Sequence, residues 1–325
     1  MILFITNKED ITTDFVVKKI RESRVDYYRF NTEELFNDVG ISLDFEENKF
    51  QLLDKRKGII DLNNVTSVYF RRPKLPNIFP NLEIGERNFL IKEYHSLLNG
   101  IYSILSSRLW INYVYSIIEA ENKIYQLILA KKLGFKIPET LISNNGDRVY
   151  EFIKANNFNC IIKPIRSGFI DNLNNPKVIF TNKINRDNLE GLDRIQSCPS
   201  IFQSNITKEA DVRVTVVGEK VFAARIESQK HKESEIDWRR GNNVIEHNYI
   251  ELPSEIENQC VNLVKQLNLL FGAIDLILDQ EGNFYFLEIN PNGQWAWIEK
   301  RLNLPISDEI AKLLIWGEKN VFVQN

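Results

Sequence analysis

One segment near the carboxyl end constrains the fold more than any other. Residues 272–293 read GAIDLILDQEGNFYFLEINPNG, two apolar runs that are each interrupted by one carboxylate and are joined by a short polar stretch. A carboxylate inside an apolar run is costly to bury unless it is paired or binds a cation. The pattern therefore predicts a β-hairpin, with strands over 273–278 and 284–289, that carries Asp275 and Glu288 inward.

The spacing of this hairpin predicts a metal site. If residues 280–283 form a four-residue loop, Asp279 pairs with Phe284, and Asp275 lies opposite Glu288 on the same face. Asn290, two residues beyond Glu288, projects to that face as well. Such hard oxygen ligands suit Mg²⁺, which usually keeps waters and bridges substrate phosphates. The alternative, a hairpin whose acids simply face solvent, leaves the apolar neighbours unexplained.

The remaining pattern alternates strands and helices and predicts an α/β (α+β) fold. Residues 1–6, 12–24 and 25–31 predict a βαβ opening. Residues 115–133 predict one long helix that Gly134 ends, and residues 136–142 predict the strand after it. We expect three parts, with bounds 1–113, 114–205 and 206–325.

Composition and missing motifs exclude several classes of protein. The 325 residues carry a net charge of −3, which argues against a nucleic acid partner. Three scattered cysteines fit a reducing cytoplasm and give no zinc spacing. No apolar stretch approaches the length of a membrane span, so no membrane association is expected. The sequence contains no GxxxxGK[ST], no pair of glycines two apart and no GxSxG.

Two lysines are candidates for holding an anionic ligand. Lys163 ends the apolar run of IIKPIRSG, which places a cation beside a small-residue loop. Lys123 lies forty residues earlier, on the helix that opens the same part of the chain. For Lys123 a solvated surface side chain is an equal alternative.

At this point the chain resembles the ATP-grasp superfamily over roughly residues 115–300. The resemblance rests on ENKIYQLILAKKLGFKIPET, IIKPIRSG, IFQSNI, DVRVTVVGEKVFAARI and the 272–293 segment. It implies an ATP-grasp fold, with an N-terminal pre-ATP-grasp domain (1–113), a central lid-like domain (114–205) and a C-terminal catalytic domain (206–325). It also implies ATP and Mg²⁺ as cofactors.

The same resemblance assigns roles to individual residues. Lys123 and Lys163 become the phosphate-side and adenine-side lysines, and Asp275, Glu288 and Asn290 become the Mg²⁺ ligands. The hinge that reads adenine would be formed by Gln203, Ser204, Asn205 and Ile206. Many relatives carry an acidic residue where this chain has Ser204, so the group that meets the ribose is left open.

Within the superfamily, the chain looks most similar to graspetide ligases of the microviridin and plesiocin type. VDYYRFNTEEL and VTSVYFRRP resemble their opening domain. This resemblance implies a precursor peptide, with a leader and an acidic core containing Thr, Ser or Lys, that receives side-chain ester or amide crosslinks. A homodimer is a further expectation. One alternative is a RimK-like ligase that adds amino acids to a protein terminus or a small metabolite, and another is a non-catalytic ATP-binding scaffold.

Four further residues are candidates for the catalytic chemistry. Phosphoryl transfer from ATP to a carboxylate requires positive charge around the moving oxygens. Asp211 and Arg213 alternate along one predicted strand and match the DxR motif of graspetide ligases, Arg225 lies on the return strand, and Arg239 lies in the polar segment beyond. Arg213 suits a bidentate contact to the substrate carboxylate. Asp211 could orient Arg213 or accept the nucleophile's proton. A surface cross-strand pair is the alternative for Arg213.

Overall fold

The computed structural model describes residues 1–76, 82–166, 168–170, 177–240 and 245–320. These residues form two compact units. The first contains residues 1–117 and 269–271 and continues from Asn292 to the end of the described chain, and the second contains residues 118–268 and 272–291. The division into three parts at 113 and 205 stays a prediction.

The first unit contains the predicted βαβ opening. A buried strand, β1, lies between β2 and β6 in a parallel sheet of order β2-β1-β6-β7, and β3 to β5 form a separate antiparallel sheet. The strands are β1 (Ile2–Thr6), β2 (Tyr27–Asn31), β3 (Val39–Asp44), β4 (Lys49–Asp54), β5 (Gly58–Asp61), β6 (Ser67–Phe70) and β7 (Leu109–Ile111). The first two helices are α1 (Ile11–Glu22) and α2 (Ile84–Ile104).

A buried ion pair lies at the end of β6 in this unit. Arg71 is 2% exposed and pairs with Asp10 at 3.1 Å. Its guanidinium also donates to the backbone carbonyls of Asn292 and Gly293, at 3.2 and 3.0 Å. A buried guanidinium needs such partners, so the first arginine of the RRP sequence has a structural role inside the unit.

The second unit contains a four-stranded sheet of order β12-β9-β13-β8, a β10-β11 hairpin and a five-stranded sheet of order β16-β15-β14-β17-β18. Its strands are β8 (Thr140–Ser143), β9 (Cys160–Lys163), β10 (Phe169–Ile170), β11 (Lys177–Val178), β12 (Asn182–Ile184), β13 (Ser200–Ser204), β14 (Lys208–Val217), β15 (Lys220–Ile226), β16 (His247–Tyr249), β17 (Phe271–Asp279) and β18 (Phe284–Asn290). The other helices of the chain are α3 (Val114–Ala120), α4 (Lys123–Lys132), α5 (Gly146–Ala155), α6 (Ser254–Gln266), α7 (Ala296–Leu302) and α8 (Ile306–Asn320). Short 3₁₀ segments cover Thr32–Glu34, Leu62–Asn64, Arg186–Ser197 and Ser228–Lys230.

Two predicted elements around Lys123 were wrong in extent. The helix expected over 115–133 is broken into α3 and α4, because the Asn122 side chain accepts from the backbone N–H groups of Ile124 and Tyr125 and caps a new helix. The strand expected from residue 136 begins only at Thr140, after Pro138, which has no N–H to donate. The small-residue loop expected after Lys163 lies partly outside the described residues, which omit 167 and 171–176.

Candidate active site

The predicted acidic hairpin is present, with Asp275 directly opposite Glu288 on β17 and β18. The predicted register at its tip was wrong by one residue, because Leu278, not Asp279, pairs with Phe284. A β-bulge between Asp275 and Leu276 corrects this offset and restores the pairing of the two acids. The two carboxylates therefore share one face of the five-stranded sheet.

Three side-chain cations of the second unit hold these two carboxylates. Arg213 Nη1 lies 2.7 Å from Asp275 Oδ1, and Lys123 Nζ lies 2.9 Å from Glu288 Oε2. Arg239 Nη2 bridges the pair, at 2.8 Å from Asp275 Oδ2 and 2.6 Å from Glu288 Oε1. Burial alone would raise the pKa of the Glu288 carboxyl, but Lys123, Arg239 and Lys163 outweigh burial and hold that pKa well below its usual range.

Local structure explains how each cation reaches this point. Arg213 projects from the middle of β14, the neighbour of β17 in the sheet, and is 5% exposed. Lys123 is the first residue of α4, which the Asn122 cap fixes in place. Arg239 follows Asp237, whose carboxylate accepts from the Arg239 backbone N–H at 3.1 Å. Burial alone would lower the pKa of Arg239. Asp275 and Glu288 outweigh burial and raise that pKa above its usual value, so this guanidinium stays charged.

Lys163 supplies a fourth positive charge to the same cleft. It ends β9, as the sequence predicted, and it lines the cleft together with Lys123 and Glu288. Burial lowers the pKa of its ammonium to about 8, against an opposing effect of Glu288. An ammonium whose charge is disfavoured in this way gains from an anionic ligand.

The predicted hinge follows β13 and borders the cleft. Gln203 is fully buried and donates its Nε2 to Thr140 Oγ1 at 2.9 Å, whereas its Oε1 has no partner among the described residues. The backbone N–H groups of Ser204 and Asn205 donate to the carbonyls of Glu139 and Asn159, both at 2.9 Å. A buried amide oxygen without a partner is rare, so Gln203 can accept a hydrogen bond from a ligand.

Asp211 lies in the cleft, where it pairs with Lys208. Its Oδ2 accepts from Lys208 Nζ at 2.7 Å, and both side chains are buried. Burial raises the pKa of Asp211, and Lys208 opposes that rise. Lys208 was not a predicted site residue.

Two predicted site residues lie away from the centre of the cleft. Arg225 pairs with Val212 across β14 and β15, whereas Arg213 pairs with Ala224, so the two arginines project to opposite faces of the sheet. Arg225 instead binds Glu209 and Glu227, both at 2.7 Å. Asn290 is exposed at the end of β18 and lines an adjoining cavity together with Lys123 and Glu288.

The other predicted residues converge on one open cleft within the second unit. Ten of them line it: Lys123, Lys163, Gln203, Ser204, Asn205, Ile206, Asp211, Arg239, Asp275 and Glu288. Arg213 joins them through its contact with Asp275. Apolar side chains, including Ile161, Ile277 and Leu287, form the rest of the wall.

The residues of the cleft fit a Mg²⁺-nucleotide complex. The described residues contain no group of three or more His, Cys, Asp or Glu side chains placed to hold a metal. A pair of facing carboxylates suits Mg²⁺, because this ion normally completes its octahedron with waters and substrate phosphates. The four cations suit a polyphosphate, and the apolar wall beside the unpaired Gln203 oxygen suits a flat base with an amino group.

Two family models match successive parts of the chain. A model of the RimK-like ATP-grasp domain matches residues 120–314, and a model of the MvdD pre-ATP grasp domain matches residues 1–118. In the described part of the chain, the helices are all too short or too polar to cross a membrane. A curated but uncharacterised Mycoplasma genitalium protein is 32% identical over 118 residues, which span 35% of this chain and 39% of that protein.

Two solved structures resemble almost the whole chain. A Chryseobacterium gregarium RiPP-associated ATP-grasp ligase, in complex with ADP and a leader and core peptide, is 30% identical, with a TM-score of 0.89 and coverage of 97% of this chain and 96% of that one. The macrocyclase MdnC of Microcystis aeruginosa, bound with precursor peptide MdnA, is 29% identical, with a TM-score of 0.86 and coverage of 97% and 99%. The predicted ATP-grasp fold and the resemblance to peptide-modifying ligases are thereby confirmed, and the chain belongs to the RimK-like ATP-grasp family of ligases.

Proposed function

We propose that this chain uses ATP to activate a side-chain carboxylate of a ribosomal precursor peptide and then crosslinks that carboxylate to a hydroxyl or amine of the same peptide. The observation that carries the proposal is the facing Asp275–Glu288 pair, held by Arg213 and Arg239 in a cleft that also holds Lys163. The resemblance to ligases bound to precursor peptides supports a peptide as the substrate. A leader segment and an acidic core with Thr, Ser or Lys are the features that we expect of it.

The reaction has two chemical steps. A substrate carboxylate oxygen attacks the γ-phosphorus of ATP, and the bond from that phosphorus to the β-phosphate oxygen breaks. ADP leaves, and the peptide carries an acylphosphate. A Thr or Ser hydroxyl, or a Lys amine, then attacks the acyl carbon and expels phosphate, and the nucleophile loses one proton. The peptide thus loses one water for each ester or amide formed.

The residues of the cleft divide between these steps. Asp275, Glu288 and Asn290 would hold Mg²⁺, which neutralises charge on the phosphates when it is bound. Lys123 and Lys163 would bind phosphate oxygens, and Arg239 would contact the transferred group. Arg213 would hold the substrate carboxylate through its planar fork. Asp211 would accept the nucleophile's proton, with Lys208 stabilising its ionised form.

The hinge would bind the adenine. Gln203, Ser204, Asn205 and Ile206 all border the cleft, and the backbone N–H and carbonyl of Ile206 make no hydrogen bond to another described residue. An adjacent donor and acceptor of this kind match the edge of adenine. Arg225 lies on the other face of its sheet, so we assign it a supporting role in holding β15 to Glu209 rather than contact with the substrate.

Two other expectations remain proposals. We propose a cytoplasmic location, which suits the free thiols of Cys160, Cys198 and Cys260. A homodimer is the assembly that we expect. Neither changes the chemistry proposed for the cleft.

Co-expression with a peptide encoded beside the gene tests the function. We expect mass spectrometry to show a peptide that has lost one water for each crosslink, and no loss with the Glu288→Gln variant. A peptide of unchanged mass, together with ATP-dependent addition of free glutamate to a protein terminus, would instead identify the RimK-like amino-acid ligase. Absence of ADP formation with every candidate substrate would favour the scaffold.

A further inference from the structure

We propose that Arg239, which bridges Asp275 and Glu288, competes with Mg²⁺ for these two carboxylates, so that Mg²⁺ binds tightly only together with the nucleotide. The proposal rests on the proposed function of the cleft and adds the linkage between its two ligands. It assigns Arg239 two successive positions: first as the cation between the carboxylates, and then beside the phosphates.

The contacts of the two carboxylates carry the first part of the argument. All four of their oxygens accept from side-chain cations, and a single nitrogen, Arg239 Nη2, bridges the two acids at 2.8 and 2.6 Å. A cation that joins two facing carboxylates has the same electrostatic role there as a divalent ion. The same oxygens cannot serve both cations at full strength, so Mg²⁺ must compete with Arg239.

The balance of charge carries the second part. Three positive side chains contact Asp275 and Glu288, and one of them, Arg239, also lies 3.9 Å from Asp237. Lys163 adds a fourth positive charge to the same cleft, against these three carboxylates. Adding a free divalent cation to a site that has excess positive charge is unfavourable at such short distances. A nucleotide reverses this balance, because its phosphates bring several negative charges. Their oxygens can also accept hydrogen bonds from Arg239 when it leaves the carboxylates.

Exposure identifies Arg239 as the cation that moves. Its side chain is 44% exposed, whereas those of Lys123 and Arg213 are 20% and 6% exposed. Arg213 is also fixed in the middle of a strand. The next residue, Arg240, is anchored elsewhere: it donates to the Thr181 carbonyl at 2.7 Å and its guanidinium lies over the Phe180 ring. Arg240 can therefore keep this segment in place while the Arg239 side chain turns.

The test measures Mn²⁺, used as a probe for Mg²⁺, by the loss of its free electron paramagnetic resonance signal. Wild type, Arg239→Gln and Arg225→Gln are titrated with and without ADP, and a titration of ADP without protein gives the Mn²⁺ that ADP alone binds. Arg225→Gln is the matched control, because it removes the same charge from a residue that projects to the opposite face of the sheet from Arg213 and Asp275. Without ADP, we expect Arg239→Gln to bind Mn²⁺ about tenfold or more tightly than wild type, because one cation no longer competes. With ADP, we expect this difference to shrink.

The possible outcomes distinguish failure of this proposal from failure of the proposed metal site. Equal tightening in both variants would mean a general effect of net charge and would overturn the proposal, as would unchanged binding by Arg239→Gln. If wild type binds no Mn²⁺ even with ADP, the proposed metal site itself is wrong. Should Arg239→Gln fail to fold, Arg239→Met, which keeps a long side chain without the charge, takes its place, and unchanged Mn²⁺ binding without ADP in that variant refutes the proposal.

Discussion

The Lys163 ammonium should couple nucleotide binding to proton uptake. Burial lowers the pKa of its ammonium from 10.5 to about 8; Glu288 opposes this shift, and Lys123 and Arg239 add to it. A change of this size means that the folded cleft disfavours the charged form by about 3 kcal/mol. A phosphate beside the ammonium would supply a counter-charge, so binding of ADP should raise this pKa again.

The expected proton uptake follows from that pKa. At pH 8 the free protein carries about half a proton on Lys163, so binding of ADP should take up about half a proton from the buffer. At pH 6.5 the lysine is already protonated, so its contribution to the uptake should vanish. Because binding raises the pKa, affinity for ADP should be constant below about pH 7 and should fall as the pH rises through 8, approaching about tenfold per unit.

Titration calorimetry in two buffers of different ionisation enthalpy measures this uptake directly. Lys163→Ala should remove the buffer dependence at pH 8 and weaken ADP binding at pH 7 by about 10- to 100-fold, the value of a charge-assisted contact. Lys183→Ala, an exposed lysine on β12, is the control and should behave as wild type. A binding enthalpy that is independent of buffer at pH 8, or uptake that persists in Lys163→Ala, would remove Lys163 from the nucleotide site.

Two further substitutions separate the metal role from the substrate role. Glu288→Gln keeps the shape of the side chain but loses one anionic ligand, so it should abolish ADP formation while the thermal unfolding transition is retained. Wild-type turnover in this variant would disprove the assignment. Glu209→Gln, on the exposed face, is the control. Arg213→Lys keeps the charge but loses the planar fork, so it should bind ADP nearly normally and dehydrate the peptide about 10- to 100-fold more slowly. Arg225→Lys should leave both unchanged, and loss of ADP binding in Arg213→Lys would instead assign Arg213 to the nucleotide site through Asp275.

The acidic hairpin could be predicted because its chemistry is local. An Asp and a Glu inside apolar runs require a partner whichever way the chain folds around them. The length of the turn could not be read in the same way. Asp279 Oδ1 accepts from the backbone N–H groups of Glu281 and Asn283, which widens the turn by one residue, and the bulge that compensates has no mark in the sequence.

The position of Arg225 could have been found from the sequence. The two-residue turn at Gly218-Glu219 pairs Val217 with Lys220, and counting outward places Arg225 opposite Val212. Residues at odd and even positions of a strand point to opposite faces, so Arg213 and Arg225 cannot share one. The spacing of residues in the hairpin is therefore enough to exclude a common site for the two arginines.

Lys208 and the bridging contact of Arg239 could not be predicted. Lys208 is three residues from Asp211 on β14, so regular strand alternation places the two side chains on opposite faces, yet they meet at 2.7 Å. The Lys208 ammonium also points to the Ile236 carbonyl at 3.4 Å, in the irregular segment that carries Arg239. Sequence pattern does not fix where such a segment lies, because its position depends on contacts with distant strands.

The bulge at Asp275 has a consequence for engineering this enzyme. The bulge compensates for the one-residue register shift of the turn, so Asp275 still pairs with Glu288. The structure of the loop at 280–283 is therefore independent of the pairing at the catalytic end of the hairpin. The loop residues Gln280 and Glu281 are exposed and lie at the opposite end of the strands from Glu288. A fluorophore or an affinity tag can therefore be attached at this tip to report on the enzyme without altering the geometry that the chemistry needs.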